Sequence, residues 1–369
     1  MPATAREHRY PCEQCGADLR FAPGQTLMVC GHCGHVQEIP APPDKQARTG
    51  LAEIDLREGL RADPPREALA EHRTTHCPNC GAVVEFTGAR HAAECPFCAT
   101  PVVVDTGTSR RLKPQGLIPF AVTEDAAREA LGAWLKGRWF APSGLGDHAR
   151  KGRKMQGIYT PFWTFDADTR SRYAGQRGDY HYGTRTRSVM VDGKRRQRTE
   201  QVRHTRWRPA SGMVARRFDD LLVLAAKSLP RSHTDALQPW DLSALVPYRE
   251  DYLSGFLAEG YTVPLPEGHA AAREIMAGVI LGDVRRDIGG DEQQVSSVAT
   301  THYNETFKHI LLPVWTAAYR HRGRSFRFVV NGQTGKVQGE RPWSPVKIAL
   351  AVLAALVLLG ALALVSQMR

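Results

Sequence analysis

All eight cysteines fall in two matching quartets, and this duplication limits what the chain can fold into more than any other feature. Cys12, Cys15, Cys30 and Cys33 form the first; Cys77, Cys80, Cys95 and Cys98 form the second, each 65 positions after its counterpart. Both have 14 residues between their CxxC pairs. A four-thiolate site needs sulfurs at tetrahedral corners, about 2.3 Å from Zn²⁺. Two residues between cysteines let one tight turn offer two sulfurs, and a hairpin brings back the second pair. The usual spacing between pairs is about 15–20 residues, and a compact hairpin spans one fewer. Gly16, Gly34 and Gly81 follow the second cysteine of three turns, and Ala99 follows the fourth. Glycine there permits positive φ, which turns backbone N–H groups toward the sulfurs. Phe21 and Phe86 repeat at matching positions, as do Ile39 and Val104. The quartets therefore predict two zinc ribbons, over 8–40 and 74–106, holding two Zn²⁺ per chain independently.

Disulfides are the weaker reading, because they need an oxidising compartment and Met1–Tyr10 has no apolar export segment. A redox CxxC comes as one motif near a βαβ unit, not as four. His32 and His35 read as surface histidines rather than ligands.

A linker and connector, 41–73, joins the two ribbons, and the rest of the chain reads as an α+β domain with antiparallel sheet over 112–342. Thr123 caps a predicted amphipathic helix, 123–139. A second helix is predicted over 267–288, with Ile275, Met276, Val279, Ile280, Val284 and Ile288 on one face, stopped by Gly289-Gly290. Residues 159–166 read as a strand, 180–208 as a hairpin turning at Asp192-Gly193, and 310–320 with 325–330 as a strand pair. Ile348–Val365 is an uninterrupted run of 18 apolar or small residues. About 17–25 such residues span a bilayer. This predicts a transmembrane tail anchor, 346–366, in the bacterial inner membrane, single-pass with a cytoplasmic N-terminus.

The net charge of +11 calls for an anionic partner: nucleic acid, anionic lipid or an acidic protein. It concentrates in a basic β-ribbon, 170–208, with 12 Lys or Arg against Asp179, Asp192 and Glu200. The anionic-partner candidates are Arg185, Arg187, Lys194, Arg195, Arg196, Arg198, Arg203 and Arg206, with Tyr173, Tyr180, Tyr182 and Trp207 interspersed as in a base-stacking surface. A solvated charged hairpin explains the same residues.

Catalytic signals are weak. Neither Gly193-Lys194 nor Gly335-Lys336 belongs to a phosphate-binding loop. Asp291-Glu292 follows Gly289-Gly290 instead of an apolar strand, which does not suit an ATPase. Asp283 and Asp287 read as surface ion-pairing groups beside Arg285 and Arg286. Asp166-x-Asp168 suits a divalent ion or a strand end. With the thiols assigned to zinc, the expectation is no enzyme.

Four stretches beyond the ribbons carry a resemblance: YTPFWTFDADTRSRYAGQRGDY at 159–180, LVPYREDYLSGF at 245–256, DVRRDIGGDEQ at 283–293 and HILLPVWTAAYRHRGRSFRFVVNGQTGKVQGERPWS at 309–344. With the quartets and tail, they make the chain resemble bacterial membrane-anchored double-zinc-ribbon proteins, often labelled as like primosomal protein N′ (replication factor Y), a superfamily II helicase. The helicase's nucleotide-binding motifs have no counterpart here, so no catalytic residue carries over. Related double-ribbon proteins are associated with SPFH and phage-shock-type membrane-stress systems. The resemblance thus implies an adaptor or scaffold recruiting a cytoplasmic or membrane protein. The alternative is a membrane-tethered nucleic-acid-binding protein linked to replication.

Overall fold

The computed structural model describes residues 10–39, 51–61, 69–77, 79–85, 92–97, 101–103, 107–137, 155–191, 194–321, 324–340 and 345–367. The first quartet builds a small antiparallel sheet of β1 (Leu19–Phe21), β2 (Leu27–Cys30) and β3 (Val36–Glu38). The connector then forms β4 (Ile54–Asp55), the single-turn α1 (Leu56–Gly59) and the start of β5 (Leu69–His76). The second quartet is threaded among β5, β6 (Val83–Glu85), β7 (Ala92–Glu94) and β8 (Pro101–Val103). After β9 (Gly107–Leu112) and β10 (Gly116–Leu117) comes α2 (Glu124–Lys136). Its cap is the expected Thr123, whose side chain accepts from Ala126 N at 3.3 Å. Ala127, Leu131 and Leu135 are its buried face, as their spacing requires.

The centre of the molecule is β11 (Gln156–Val191), 36 residues without a break, paired antiparallel with β12 (Lys194–Leu224). A short helix α3 (Arg231–Ala236), β13 (Val246–Pro247) and β14 (Leu257–Glu259) lead to α4 (Leu265–Ile288). The chain closes with β15 (Glu292–His321), β16 (Arg324–Asn331), β17 (Val337–Gly339) and α5 (Pro345–Gln367). Among the described residues these strands make one twelve-stranded mixed sheet, ordered β13-β10-β15-β11-β14-β6-β5-β9, with β12 also on β11, β4 and β16 also on β15, and β17 on β16. The expected α+β class with antiparallel sheet holds.

Alternation along β11 sends successive side chains to opposite faces. One face carries Tyr159, Trp163 and Phe165; the other carries Ile158 and Phe162. α4 lies on the first, burying Leu265, Gly268, Ala272, Met276, Ile280, Val284 and Ile288 at near-constant four-residue steps. Val279, expected on that stripe, instead faces solvent at 38% exposure. Gly289 (φ 66°) stops the helix as expected.

The two ribbons dock on opposite faces of this sheet. Leu19, Phe21 and Met28 of the first share a core with Tyr159, Leu311 and Trp315. Phe21 packs edge-on against Tyr252 at 5.2 Å, and its N–H donates to Ser254 O at 3.0 Å. Cys77, Ala82, Cys95 and Phe97 of the second share a core with Ile158, Phe162, Ile310 and Leu312. Here the structure departs from the sequence boundaries. β6 pairs with β14, and β5 pairs with β9, so the second ribbon is spliced into the main sheet.

The tail-anchor expectation is also corrected. The apolar run does form α5, and Leu350, Leu353, Leu356 and Leu358 are exposed. Yet among the described residues no helix is long and apolar enough to cross a membrane. The placement as a single-pass inner-membrane protein with a cytoplasmic N-terminus is therefore not supported.

Candidate metal centres and the protruding arm

In the first ribbon, turns after Cys12 and Cys30 are closed by Gly16 N–H to Cys12 O (2.8 Å) and Gly34 N–H to Cys30 O (3.0 Å). Gly16 and Gly34 take φ of 74° and 75°, the left-handed geometry these turns require. The hairpin register Leu19↔Cys30 brings the two turns together. All four sulfurs of Cys12, Cys15, Cys30 and Cys33 lie within 4.8 Å of one another. Cys12 Sγ to Cys33 Sγ is 3.5 Å, as is Cys15 Sγ to Cys30 Sγ. A tetrahedron with Zn–S of about 2.3 Å has edges of about 3.8 Å, so the four donors fit one zinc ion. Backbone N–H groups of Cys33, then His32, point at the Cys30 sulfur and pull its thiol down to about 6. That favours the thiolate a metal needs. His32 is exposed and His35 half-buried; neither joins the cluster.

The second ribbon repeats the device. Gly81 (φ 73°) closes its turn with N–H to Cys77 O at 3.0 Å. Cys77, Cys80 and Cys95 converge, with Cys80 Sγ 3.6 Å from Cys95 Sγ. Cys98 lies outside the described residues, as do Phe86, Ala99 and Val104. Both clusters are suited to zinc, which would cross-link each ribbon. Elemental analysis of purified, reduced protein is expected to give two zinc ions per chain; one or none would refute the paired-site assignment.

The basic ribbon projects from the sheet. β15 leaves β11 at Gly178↔Glu292, and beyond that level, among the described residues, β11 and β12 pair only with each other, from Asp179↔Arg206 to Val191↔Lys194. None of the arm's described side chains from 181 to 190 or 195 to 206 is buried. The expected turn, Asp192-Gly193, lies outside the described residues. Strand alternation sorts the predicted cations. Arg185, Arg187, Arg198 and Arg206 share one face, with His181 opposite His204. Arg195 and Arg203 are on the other, with Tyr180, Tyr182 and Trp207. The guanidinium of Arg203 lies 4.1 Å from the Tyr180 ring centre. Lys194 and Arg196 belong to β12, but their side chains are not among those described.

The arm's root uses carboxylates of which only Asp283 and Asp287 had an expected role, as surface ion-pairing groups. Asp291 Oδ2 accepts from Tyr180 N (2.7 Å), and Glu292 Oε1 accepts from Tyr180 OH (2.8 Å). Asp179 bridges Arg208 and Arg177, which hold its carboxyl below the usual range. Asp283 pairs with Arg216 and Arg286, while Asp287 accepts from Tyr173 OH at 2.6 Å. These carboxylates thus tie α4 and the arm to the sheet. Only the exact pairing escaped sequence reading, because the partners lie up to 114 positions away.

No family profile matches the chain, and no solved structure does. The chain is similar to YdjG, an uncharacterized protein of Bacillus subtilis (strain 168), at 24% identity over 343 residues, 92% of each chain.

Proposed function

We propose that this chain is a non-enzymatic, zinc-stabilised adaptor that captures a protein partner on its arm. The observation that carries this reading is the free two-stranded extension, with four arginines on one face, anchored in a sheet whose faces each hold a cysteine ribbon. A ribbon exposed on both sides gains little from intramolecular burial, and its placement suits intermolecular contact. The resemblance to double-zinc-ribbon proteins of SPFH and phage-shock-type systems supports a recruitment role. Crosslinking the full chain in its native cells, followed by capture with and without nuclease, tests the reading. Reversing Arg185, Arg187, Arg198 and Arg206 to Glu together is expected to lower nuclease-resistant protein recovery at least tenfold, with zinc content unchanged. Undiminished recovery would exclude the arm as the capture site.

A second reading is nucleic-acid binding. Its support is the opposite face of the arm, where Tyr180, Tyr182 and Trp207 accompany Arg203 and resemble a stacking platform. It requires nuclease-sensitive capture, and an affinity for a single-stranded oligonucleotide that falls steeply with salt.

A further inference from the structure

The sheet is irregular on both sides of one residue. Across β12 the register passes from Phe165↔Leu221 to Ala167↔Phe218, and across β15 from Asp166↔Thr306 to Asp168↔Tyr303. Each outer strand therefore carries an extra residue at the level of Asp166 and Ala167. Asp220 and Asn304, the residues in these bulges, both have φ of 50°. Bulges re-aim side chains and backbone groups. Here they gather a polar cluster around Asp166, which is only 7% exposed.

Thr306 Oγ1 lies 2.8 Å from Glu53 Oε2 and 3.1 Å from Asp166 Oδ2. A hydroxyl has one hydrogen to donate. It can donate to one carboxyl, and the other must then donate to it, which requires a protonated acid. The local charges agree. Glu53, Asp166 and Asp220 face one cation, Lys308, whose Nζ is 2.8 Å from Asp220 Oδ1 and 3.3 Å from Glu53 Oε1. Lys308 is itself 7% exposed. Three ionised carboxylates around one buried ammonium leave uncompensated negative charge in a poorly hydrated site.

We propose that Glu53 and Asp166 share one proton through Thr306, and that this proton latches the segment between the two zinc ribbons onto the central sheet. Glu53 comes just before β4, whose only pairing among the described residues is Thr306↔Asp55 and Phe307↔Ile54. Buried Leu56 of α1, packed with Phe307, and Gln115 Nε2, donating to Ala52 O at 3.0 Å, also hold the segment, and the side-chain bridge sets how tightly its β4 end is docked. The proton resides on Asp166, the more buried carboxyl. Burial, opposed by the Asp220 N–H and reinforced by Glu53, pushes Asp166 up to about 6. Glu53 is held below its usual value: burial works against ionisation, but Thr306, Asp166 and Lys308 outweigh it.

The other charged groups near Asp166 among the described residues are Asp168, two residues along the same face and bonded by Asn304 Nδ2 at 3.0 Å, exposed Asp219 on β12, Asp55 on β4, and the cations Arg217, paired with Asp168, and Arg170, farther along the face. The acids oppose loss of the proton; the two exposed arginines, nearer Asp168 than Asp166, favour it. An acid whose folded value is raised binds more protons folded than unfolded between its two values. The Asp166 contribution is thus fully present below about pH 4 and lost as pH rises through about 6, while the contribution of ionised Glu53, whose value is lowered, is lost only as pH falls below its usual range.

Hydrogen exchange of the full-length zinc-loaded chain tests this, read on peptides covering 51–60 and corrected for intrinsic rates. Protection in the wild type is expected to fall about tenfold between pH 5 and pH 8. Asp166→Asn places a permanent donor toward Thr306 and should keep the pH 5 protection at pH 8. Thr306→Val removes the shared hydroxyl and should lose protection at both. Glu53→Gln, at the more exposed position, offers the same permanent donor if Asp166→Asn fails to fold. Equal wild-type protection at the two pH values, or an unaltered fall in the Asn and Gln variants, would overturn the proposal. Because the readout needs no partner, failure of the adaptor reading would leave it untouched.

Discussion

Cys77→Ser is expected to unfold the central sheet along with the second ribbon. Cys77 is 1% exposed and packs in one core with Ile158, Phe162, Ile310 and Leu312, at the centre of the sheet. β6, which begins six residues on, is the only described link between β14 and the β5–β9 edge. Apparent zinc-binding energies of about 10–16 kcal/mol in ribbon-sized peptides match or exceed a whole domain's usual stability of about 5–15 kcal/mol. Losing that energy at a spliced position should abolish cooperative unfolding of the body. The measurements are zinc content and a circular-dichroism melt of the full chain. A variant that lost one zinc yet melted at the wild-type temperature would show that the ribbon is a detachable module, as its sequence boundaries suggest.

Trp163→Ala should cost about 3–5 kcal/mol, the range for deleting a large buried aromatic. The Trp163 ring is fully buried. Its Nε1 donates to Val263 O at 3.0 Å, fixing the loop that enters α4, and the ring packs against Tyr261 (5.2 Å) and His309 (4.8 Å). α4 approaches so closely that a Cβ on Gly268 would lie 2.6 Å from Trp163 Cδ1. Neither collapse of the helix nor a bound water can easily fill that apolar gap. Urea unfolding of the variant beside Tyr182→Ala measures the effect. Tyr182 is 66% exposed on the arm, and its loss should stay within about 0.5 kcal/mol. Equal effects would mean that α4 is not held by this contact.

Local chemistry explains what the sequence disclosed. CxxC turns, the Thr123 cap, and Gly289 after an apolar stripe each fix geometry within a few residues, and the structure has them where the sequence puts them. The hairpin at 180–208 was legible from Asp192-Gly193 and alternation, but its continuation to Gln156 and Leu224 was not. Nothing in a run such as Asp166–Tyr173 says that strands from 212–220 and 298–306 flank it on both sides. Asp166 and Asp168 accordingly read as a strand end or a cation site, when they lie mid-strand beside two bulges. Val279 was misplaced because hydrophobicity alone cannot tell a stripe's edge from its centre. The splitting of the basic residues between two faces needed the register, which begins at the root of the arm.

The splicing of the second ribbon also sets a timetable. Glu85 leaves the ribosome about 170 residues before its sheet neighbour Ala258, a gap of roughly 10–35 s at about 5–20 residues per second. Through that interval the second ribbon's thiols have only local strand partners, β5, β6 and β9, and lack the central strands they finally pack on. Metal capture is what can lock that local pairing, so zinc supply during translation counts as well as zinc supply after it.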